Sequence, residues 1–412
     1  MKLHWAVLIN NNSDTSGFLE DLENGYFPEP LSHLKHQKGA LFSKVTLERF
    51  MTEEERHENR VIDHIAQPLR SLSSGEQKRA LLKYIFDLEP SYVVLDNPFD
   101  NLDAPFVEEM VQMLTARAET IQFIQMISRK KDVLPFINQF AQLEKGAFNI
   151  LRILPEEGNK KPLPKTLQAI PGPVHDHPAQ QGPLIVFKDV HVAYGNKAIL
   201  QAINWRVAPG EFWQLKGPNG SGKSTILSMI TGDNPKAFGQ DIHLFGKKKG
   251  SGESVWDIKK NIGYFSPIMT DKFSGRHSVE HMLISGLTDS IGLYVRPTET
   301  QERCAQEWLH LLGLQRERNT HFHALTPGKQ RLVMTARAMV KHPPLLILDE
   351  PTAGLDDASA SFFVQLVNTF AAQSSSAVIF VSHREEPGLR PKAILELLPG
   401  PEGSRGTVQK GK

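Results

Sequence analysis

The hydrophobic positions of this chain follow two rhythms. Uninterrupted apolar runs closed by an acidic residue, YVVLD at 92–96 and LLILD at 345–349, fit strands buried on both faces. Residues 183–194 (PLIVFKDVHVAY) alternate instead, as strands with one wet face do. A strand is predicted over 211–216, and helices over 226–231, 302–314 and from the LSSGEQKR run at 72–79 through Leu88. Strands alternating with helices predict an α/β fold around a parallel core sheet. Residues 155–183 are rich in proline, with Lys160, Lys161, His175 and His177 interspersed, and carry no periodicity; they read as a semi-extended linker. Residues 400–412 read as a disordered tail.

The first half of the pattern returns in the second. KLHWAVLINNNSDTSGFL at 2–19 aligns without a gap on GEFWQLKGPNGSGKSTIL at 210–227, Trp5 falling on Trp213 and Thr15 on Lys223. LSSGEQKR at 72–79 matches LTPGKQR at 325–331, and YVVLDNPFDNLD at 92–103 matches LLILDEPTAGLD at 345–356. Asp349 follows Asp96 by 253 residues, and Thr326 follows Ser73 by the same 253. A shared register across two unlike motifs indicates duplication. Lys223 follows Thr15 by only 208, so the first copy is 253 less 208, or 45, residues shorter between these landmarks. It also lacks the strands that precede 211–216. The expected layout is a trimmed first domain at 1–150, a linker at 151–183, a full second domain at 184–400 and a tail at 401–412.

Composition narrows the class without naming it. The chain has 412 residues, 40% of them hydrophobic and 23% charged, with a net charge of +1, so nothing draws it generally to nucleic acid or anionic lipid. The Lys247–Lys249 run lacks interleaved aromatics and reads as a solvated loop. Cys304 is the single cysteine, which excludes an intrachain disulfide and fits a packing role in its helix. No apolar run is long enough to span a bilayer, and the first twelve residues make a poor secretion signal; a cytoplasmic location is expected. The pairs His175/His177 and His321/His323 lack further ligands at metal-binding spacing and read as loop histidines.

The candidate chemistry centres on GPNGSGKST at 217–225. It fits G-x-x-x-x-G-K-[ST] at Gly217, Gly222, Lys223 and Ser224. Glycines let the backbone of Gly217, Pro218, Asn219, Gly220, Ser221 and Gly222 turn its N–H groups toward phosphate, ahead of a helix start that favours anions. Lys223 would meet the outer phosphates, with Thr225 beside Ser224, whose hydroxyl would hold Mg²⁺. In the first copy Ile9 replaces the first glycine, Thr15 the lysine, and Asp14 would set a carboxylate against phosphate. Weak or absent nucleotide binding is expected there.

A phosphate loop, an LSGGQ-like signature, an acidic strand end followed by G-L-D, and a late histidine together resemble the ATP-binding cassette (ABC) family in both halves. The run KGSGESVWDIKKNIGYFSP at 249–267 and the altered second signature look most like the two-cassette ATPases labelled molybdenum-transport or photorepair proteins. The resemblance implies tandem P-loop α/β cores, each with a helical signature subdomain, and a small antiparallel β subdomain. It implies ATP and Mg²⁺ as ligands, and ATP hydrolysis. It places adenine on Tyr194, Mg²⁺ on Asp349 and Ser224, the general base at Glu350, and a γ-phosphate contact at His383. It assigns Asp356 to the loop that meets the other cassette.

In that family two cassettes pack head to tail, and the signature of one covers the phosphate loop of the other. Ser73, Ser74, Gly75 and Glu76 keep a usable signature, whereas the second has Pro327, which lacks an N–H. The first copy carries Asn97 for the glutamate and Arg129 for the histidine. Degradation therefore falls on one composite site and spares the other, which predicts an intramolecular dimer with one working site. Pro267 stands where the family has a glutamine linking hydrolysis to transmembrane partners, and the corresponding stretch at 42–44 lacks it too. The resemblance favours the energising subunit of an importer with membrane permease partners, peripheral on the inner face of the plasma membrane. A cassette acting on nucleic acid or ribosomes, or a nucleotide-gated module with little hydrolysis, are the competing readings.

Overall fold

The structure is a computed structural model that describes residues 2–10, 13–57, 61–62, 67–154, 169–175, 182–273 and 275–411. Most of the proline-rich linker, including Lys160, Lys161 and His177, lies outside the described residues. The chain divides into two compact units: Met1–Lys161 with Ala353–Ala358, and Pro162–Thr352 with Ser359–Lys412.

The first unit runs β1 (Trp5–Leu8), α1 (Thr15–Glu23), β2 (Gly39–Phe42), α2 (Lys44–His57), α3 (Ser74–Asp87), β3 (Tyr92–Asp96), α4 (Ala104–Thr115), β4 (Gln122–Ile127), β5 (Gln139–Glu144) and β6 (Ala147–Leu151). Its described strands form one sheet of order β2-β3-β4-β1-β5-β6, parallel except for the terminal hairpin. One face packs on α1 through Trp5, Val7, Phe18, Leu19 and Leu22. The other is covered by a cluster that draws on α3 and α4, including Leu81, Ile85, Phe106 and Met110.

The second unit begins with β7 (Ile185–Tyr194) and β8 (Lys197–Val207), then β9 (Phe212–Lys216), α5 (Lys223–Ile230), β10 (Asp241–Leu244), β11 (Lys247–Lys248) and α6 (Val255–Lys259). It continues with β12 (Ile262–Phe265), α7 (Pro267–Lys272), α8 (Val279–Ser285), α9 (Glu299–Leu311), α10 (Pro327–Met339) and β13 (Leu345–Asp349). It closes with α11 (Asp357–Gln373), β14 (Ala377–Ser382), β15 (Ala393–Leu398) and β16 (Arg405–Lys410). The core sheet, β12-β13-β14-β9-β15-β16, repeats the first unit strand for strand. Even the register is kept: Trp5 pairs with Ile124 as Trp213 pairs with Ile379, and Phe42 with Leu95 as Phe265 with Leu348. The antiparallel sheet β11-β10-β7-β8 belongs to the second unit, and the first has no counterpart among its described residues. Packing of α8 against α9 and α10 forms the helical layer that carries the second signature.

The expected disordered tail is a correction. Residues 405–410 form β16, antiparallel to β15 from Ala393↔Lys410 to Leu398↔Arg405, and Ser404 donates its N–H to Ile199 O and accepts from Gln201 N. The stretch RGTVQK is polar because it lies at the sheet edge and mostly faces solvent. Polarity there marks an edge strand, not a loss of structure.

Candidate nucleotide site

The loop between β9 and α5 is shaped by two glycines. Gly222 caps α5 in the left-handed region at φ 94°, where a Cβ would come within 2.6 Å of Leu200 Cδ2. A Cβ on Gly217 would lie 2.6 Å from Ser221 Oγ and 3.0 Å from Leu397 O, so the loop also needs glycine where it leaves the sheet. Lys223 is buried and folds back, its Nζ donating to Gly217 O at 2.7 Å and Pro218 O at 3.0 Å. The loop thus closes as a ring around the ammonium.

That loop opens on a cavity of about 380 Å³ whose lining includes Asn219, Gly220, Gly222, Lys223, Ser224, Thr225, Asp349 and Glu350. The two acids arrive from the end of β13. Burial, reinforced by the neighbouring Glu350, pushes the Asp349 carboxyl up to about 6. Glu350 sits at φ 47°, and its carboxylate meets His383 Nδ1 at 2.8–2.9 Å. His383 follows β14, its side chain is 3% exposed, and its Nε2 is buried with no protein partner. His383 is not among the residues lining the cavity and reaches it only through Glu350, but a buried nitrogen without a protein partner is the kind of group that a bound ligand satisfies.

A hydroxyl and a carboxylate oxygen on one cavity wall form a hard donor pair that fits Mg²⁺. Such an ion takes one or two protein ligands and completes its shell with phosphate and water. No cluster of three or more His, Cys, Asp or Glu that could hold a metal occurs among the described residues. His323 instead stacks on Phe273, with centroids 5.4 Å apart. Tyr194 ends β7, half-exposed, accepting from Asn234 Nδ2 at 2.9 Å; it is not part of the cavity lining, whereas Lys197 and Ile199 of β8 are. Nothing in their local sequence marks these two residues, because only the hairpin turn brings them to the loop.

Residues 200–353 match the ABC transporter family. The chain is 36% identical over 333 residues to the ABC transporter ATP-binding protein ModF of Escherichia coli, covering 76% of this chain and 67% of that protein. The chain belongs to the ABC ATP-binding protein family. It is also 26% identical over 447 residues to an uncharacterized ABC transporter ATP-binding protein of Schizosaccharomyces pombe, covering 93% of this chain and 90% of the relative. The zinc uptake system ATP-binding protein ZurA of Listeria monocytogenes is 32% identical over 204 residues, 48% of this chain and 76% of its own. Among solved structures it is similar to cbiO1 of Clostridium perfringens, part of the transporter complex cbiONQ, at 23% identity and a TM-score of 0.48, covering 56% of this chain and 89% of that one.

The chain is a tandem-cassette ABC ATPase; its two cassettes share the strand-end acid, Asp96 and Asp349, and differ at the positions around it. In the first, Asp14 caps α1 and its carboxylate accepts from Gly17 N at 2.9 Å, so an anion of the chain already sits at the helix start. Asn97 takes the place of Glu350. The first signature helix, α3, opens on Ser73 with a full capping box: Ser73 N donates to Glu76 Oε2 at 2.8 Å and Glu76 N to Ser73 Oγ at 3.4 Å. Ser74 and Gly75 follow in its first turn. The second signature helix, α10, starts at Pro327 with no side-chain cap at Thr326.

Proposed function

We propose that this protein hydrolyses ATP at one composite site, built from the phosphate loop, Asp349, Glu350 and His383 of the second cassette and from the signature at Ser73–Glu76 of the first. The observation that carries the reading is the pairing of Glu350 with His383, which leaves the buried Nε2 of His383 without a protein partner. Glu350 acts as general base toward water, and Lys223 neutralises the outer phosphates of ATP. His383 Nε2 meets the γ-phosphate, and Ser224 and Asp349 hold Mg²⁺. Tyr194 stacks on adenine. Ser73, Ser74 and Gly75 offer the start of α3 to the γ-phosphate, while Pro327 and the self-occupied Asp14 loop leave the second composite site inactive.

The test is ATP turnover by the full chain against Lys223→Ala, Glu350→Gln and Ser73→Arg. Lys223→Ala should lose nucleotide affinity. Glu350→Gln should bind and not turn over, and Ser73→Arg should lose turnover while remaining folded, its melt lowered only by the lost helix cap, about 1 kcal/mol. Normal turnover by folded Ser73→Arg would sink the composite site.

The work done with that ATP is best read as energising an importer. Trp256 (73% exposed), Ile268 and Tyr294 stand on the surface of the second cassette, near a cavity of about 470 Å³ to which Trp256, Met269 and Ile291 contribute. Exposed apolar groups gathered in one place mark a partner surface, here for a membrane permease. No helix of the described residues is long and apolar enough to cross a membrane itself. The chain would then sit on the cytoplasmic face of the membrane. Copurification with membrane proteins from detergent extracts checks this reading, and recovery only with ribosomes or DNA overturns it.

A further inference from the structure

We propose that Tyr264 is a positioning residue of the nucleotide site: its hydroxyl holds the Asp349 carboxylate beside Ser224, in the orientation that a divalent cation bound with nucleotide requires. The inference rests on the reading of the second cassette's loop as the working site and adds a residue to it.

The placement follows from strand geometry. Tyr264 on β12 pairs in parallel register with Ile347 on β13. Ile347 and Asp349 are two residues apart and share a face, so Tyr264 stands diagonally across from Asp349, within reach of a long aromatic side chain. The ring packs against the core cluster that contains Ile226, Leu227 and Ile347, on the α5 side of the sheet. Its hydroxyl lies within electrostatic reach of the Asp349 carboxylate and of the Ser266 side chain. Ser224, Tyr264 and Asp349 all line the same cavity of about 470 Å³. A phenol can donate where a carboxylate can only accept, so a hydroxyl placed there is suited to hold one carboxylate oxygen and leave the other for a ligand.

The first cassette provides the internal comparison. There Leu41 occupies the place of Tyr264, paired with Val94 as Tyr264 is with Ile347. The counterpart of Asp349, Asp96, receives a donor from Asn97 Nδ2 at 3.1 Å. In the second cassette residue 350 is glutamate, which has no proton to donate when ionised, and the nearby phenol able to donate stands on the neighbouring strand, at Tyr264. The two exchanges, Asn for Glu and Leu for Tyr, go together. With Pro267 in place of the family's glutamine, Tyr264 is also a polar group that β12 contributes beside the acid.

A ring that only filled space would be replaced by phenylalanine without effect; a positioning hydroxyl would not. The experiment uses the full chain, Tyr264→Phe and Tyr264→Leu, with a non-hydrolysable ATP analogue and Mn²⁺ as the probe ion, its binding followed by electron paramagnetic resonance. Both variants should bind the analogue without divalent ion within about twofold of the parent. Both should lose about tenfold in Mn²⁺ affinity, the usual size of an outer-shell effect, with kcat falling and KM for ATP little changed. Mn²⁺ affinity of Tyr264→Phe within twofold of the parent overturns the proposal, and so does a loss confined to Tyr264→Leu, which would assign the effect to packing. A parent that binds Mn²⁺ with the analogue yet never turns over ATP would remove the hydrolytic reading, while the Mn²⁺ affinities would still decide the role of Tyr264.

Discussion

Asn97 and Glu350 occupy one backbone position in the two cassettes. Each lies in the left-handed region, at φ 40° and 47°, directly after the buried strand, and each donates its N–H at 3.0 Å to the next strand, to Met126 O and Val381 O. The backbone at this position is therefore the same in both, and the side chains differ. Asn97 spends its amide on Asp96 and Ser128, whereas Glu350 binds His383. Glu350→Gln should lower ATP turnover by a factor on the order of 10²–10⁴, the range for a general base, with nucleotide affinity kept. Asn97→Glu should leave turnover within about twofold of the parent, because the first cassette has Thr15 where a phosphate-binding lysine would stand. Steady-state phosphate release by the two variants checks both halves.

The start of α1 is capped by an acid of the chain itself. With Asp14 on the N–H of Gly17 and Thr15 in place of the lysine, the start of α1 has its anion already and lacks the cation that would draw another. Asp14→Gly alone should therefore not create a second nucleotide site. Photolabelling with an azido-ATP followed by peptide mapping should mark only the second cassette in both parent and Asp14→Gly. Label recovered from residues 2–23 of the parent would contradict this.

Much of this was legible in the sequence because duplication gave two readings of one fold. The 253-residue offset between Asp96 and Asp349 survives as identical strand registers, since one slipped residue would turn a buried strand inside out. What escaped were features whose local pattern carries no period. Lys197 and Ile199 reach the cavity only through the fold of a hairpin, and Tyr264 meets Asp349 only across a strand pair. The strand at 405–410 looks like a tail in sequence because an edge strand can be polar on both faces.

Lys249 and Glu253 make a buried ion pair at 3.3 Å, with side chains 2% and 5% exposed, in the KGSGES loop before α6. Lys249 also lies 5.0 Å from the Phe238 ring centroid. Burial works against the Glu253 charge, but N–H donors in the loop, that of Gly250 among them, and Lys249 hold the carboxyl down to about 2. A folded value below the ordinary 4.5 means that the carboxylate adds stability above that pH and loses it as pH falls toward 2. Glu253→Gln should destabilise the second cassette at neutral pH by about 3 kcal/mol, because it leaves a buried ammonium unpaired. Denaturant melts at pH 7 and pH 3 should show the gap to the parent narrowing in acid.

Cys304 is buried in α9, and burial raises its thiol to about 11, so almost no thiolate forms at neutral pH. Ellman's reagent at pH 8 should leave the native chain unmodified and release one equivalent once guanidinium unfolds it. Rapid labelling of the native protein would show that the helical layer opens readily.

The sharpest structural prediction concerns the end of the chain. Strand β16 pairs with β15 over six residues, and just before it Ser404 exchanges backbone hydrogen bonds with Ile199 and Gln201 of β8. Gly403 is held at φ 100° against the backbone of Ile199 and Leu200, so a side chain there would clash. These contacts tie the core sheet to the antiparallel sheet, next to Ile199 of the cavity wall and to Leu200 against Gly222. Removing residues 401–412 would bare the edge of β15 and free β8 to shift under the phosphate loop. The truncated chain should melt well below the parent, aggregate through the exposed edge and bind ATP more weakly. The milder Gly403→Val should reproduce the weaker binding without baring the edge. Thermal melts and fluorescent-nucleotide titrations of the two variants separate these effects, and a truncated chain that melts with the parent would return residues 401–412 to the status of a dispensable tail.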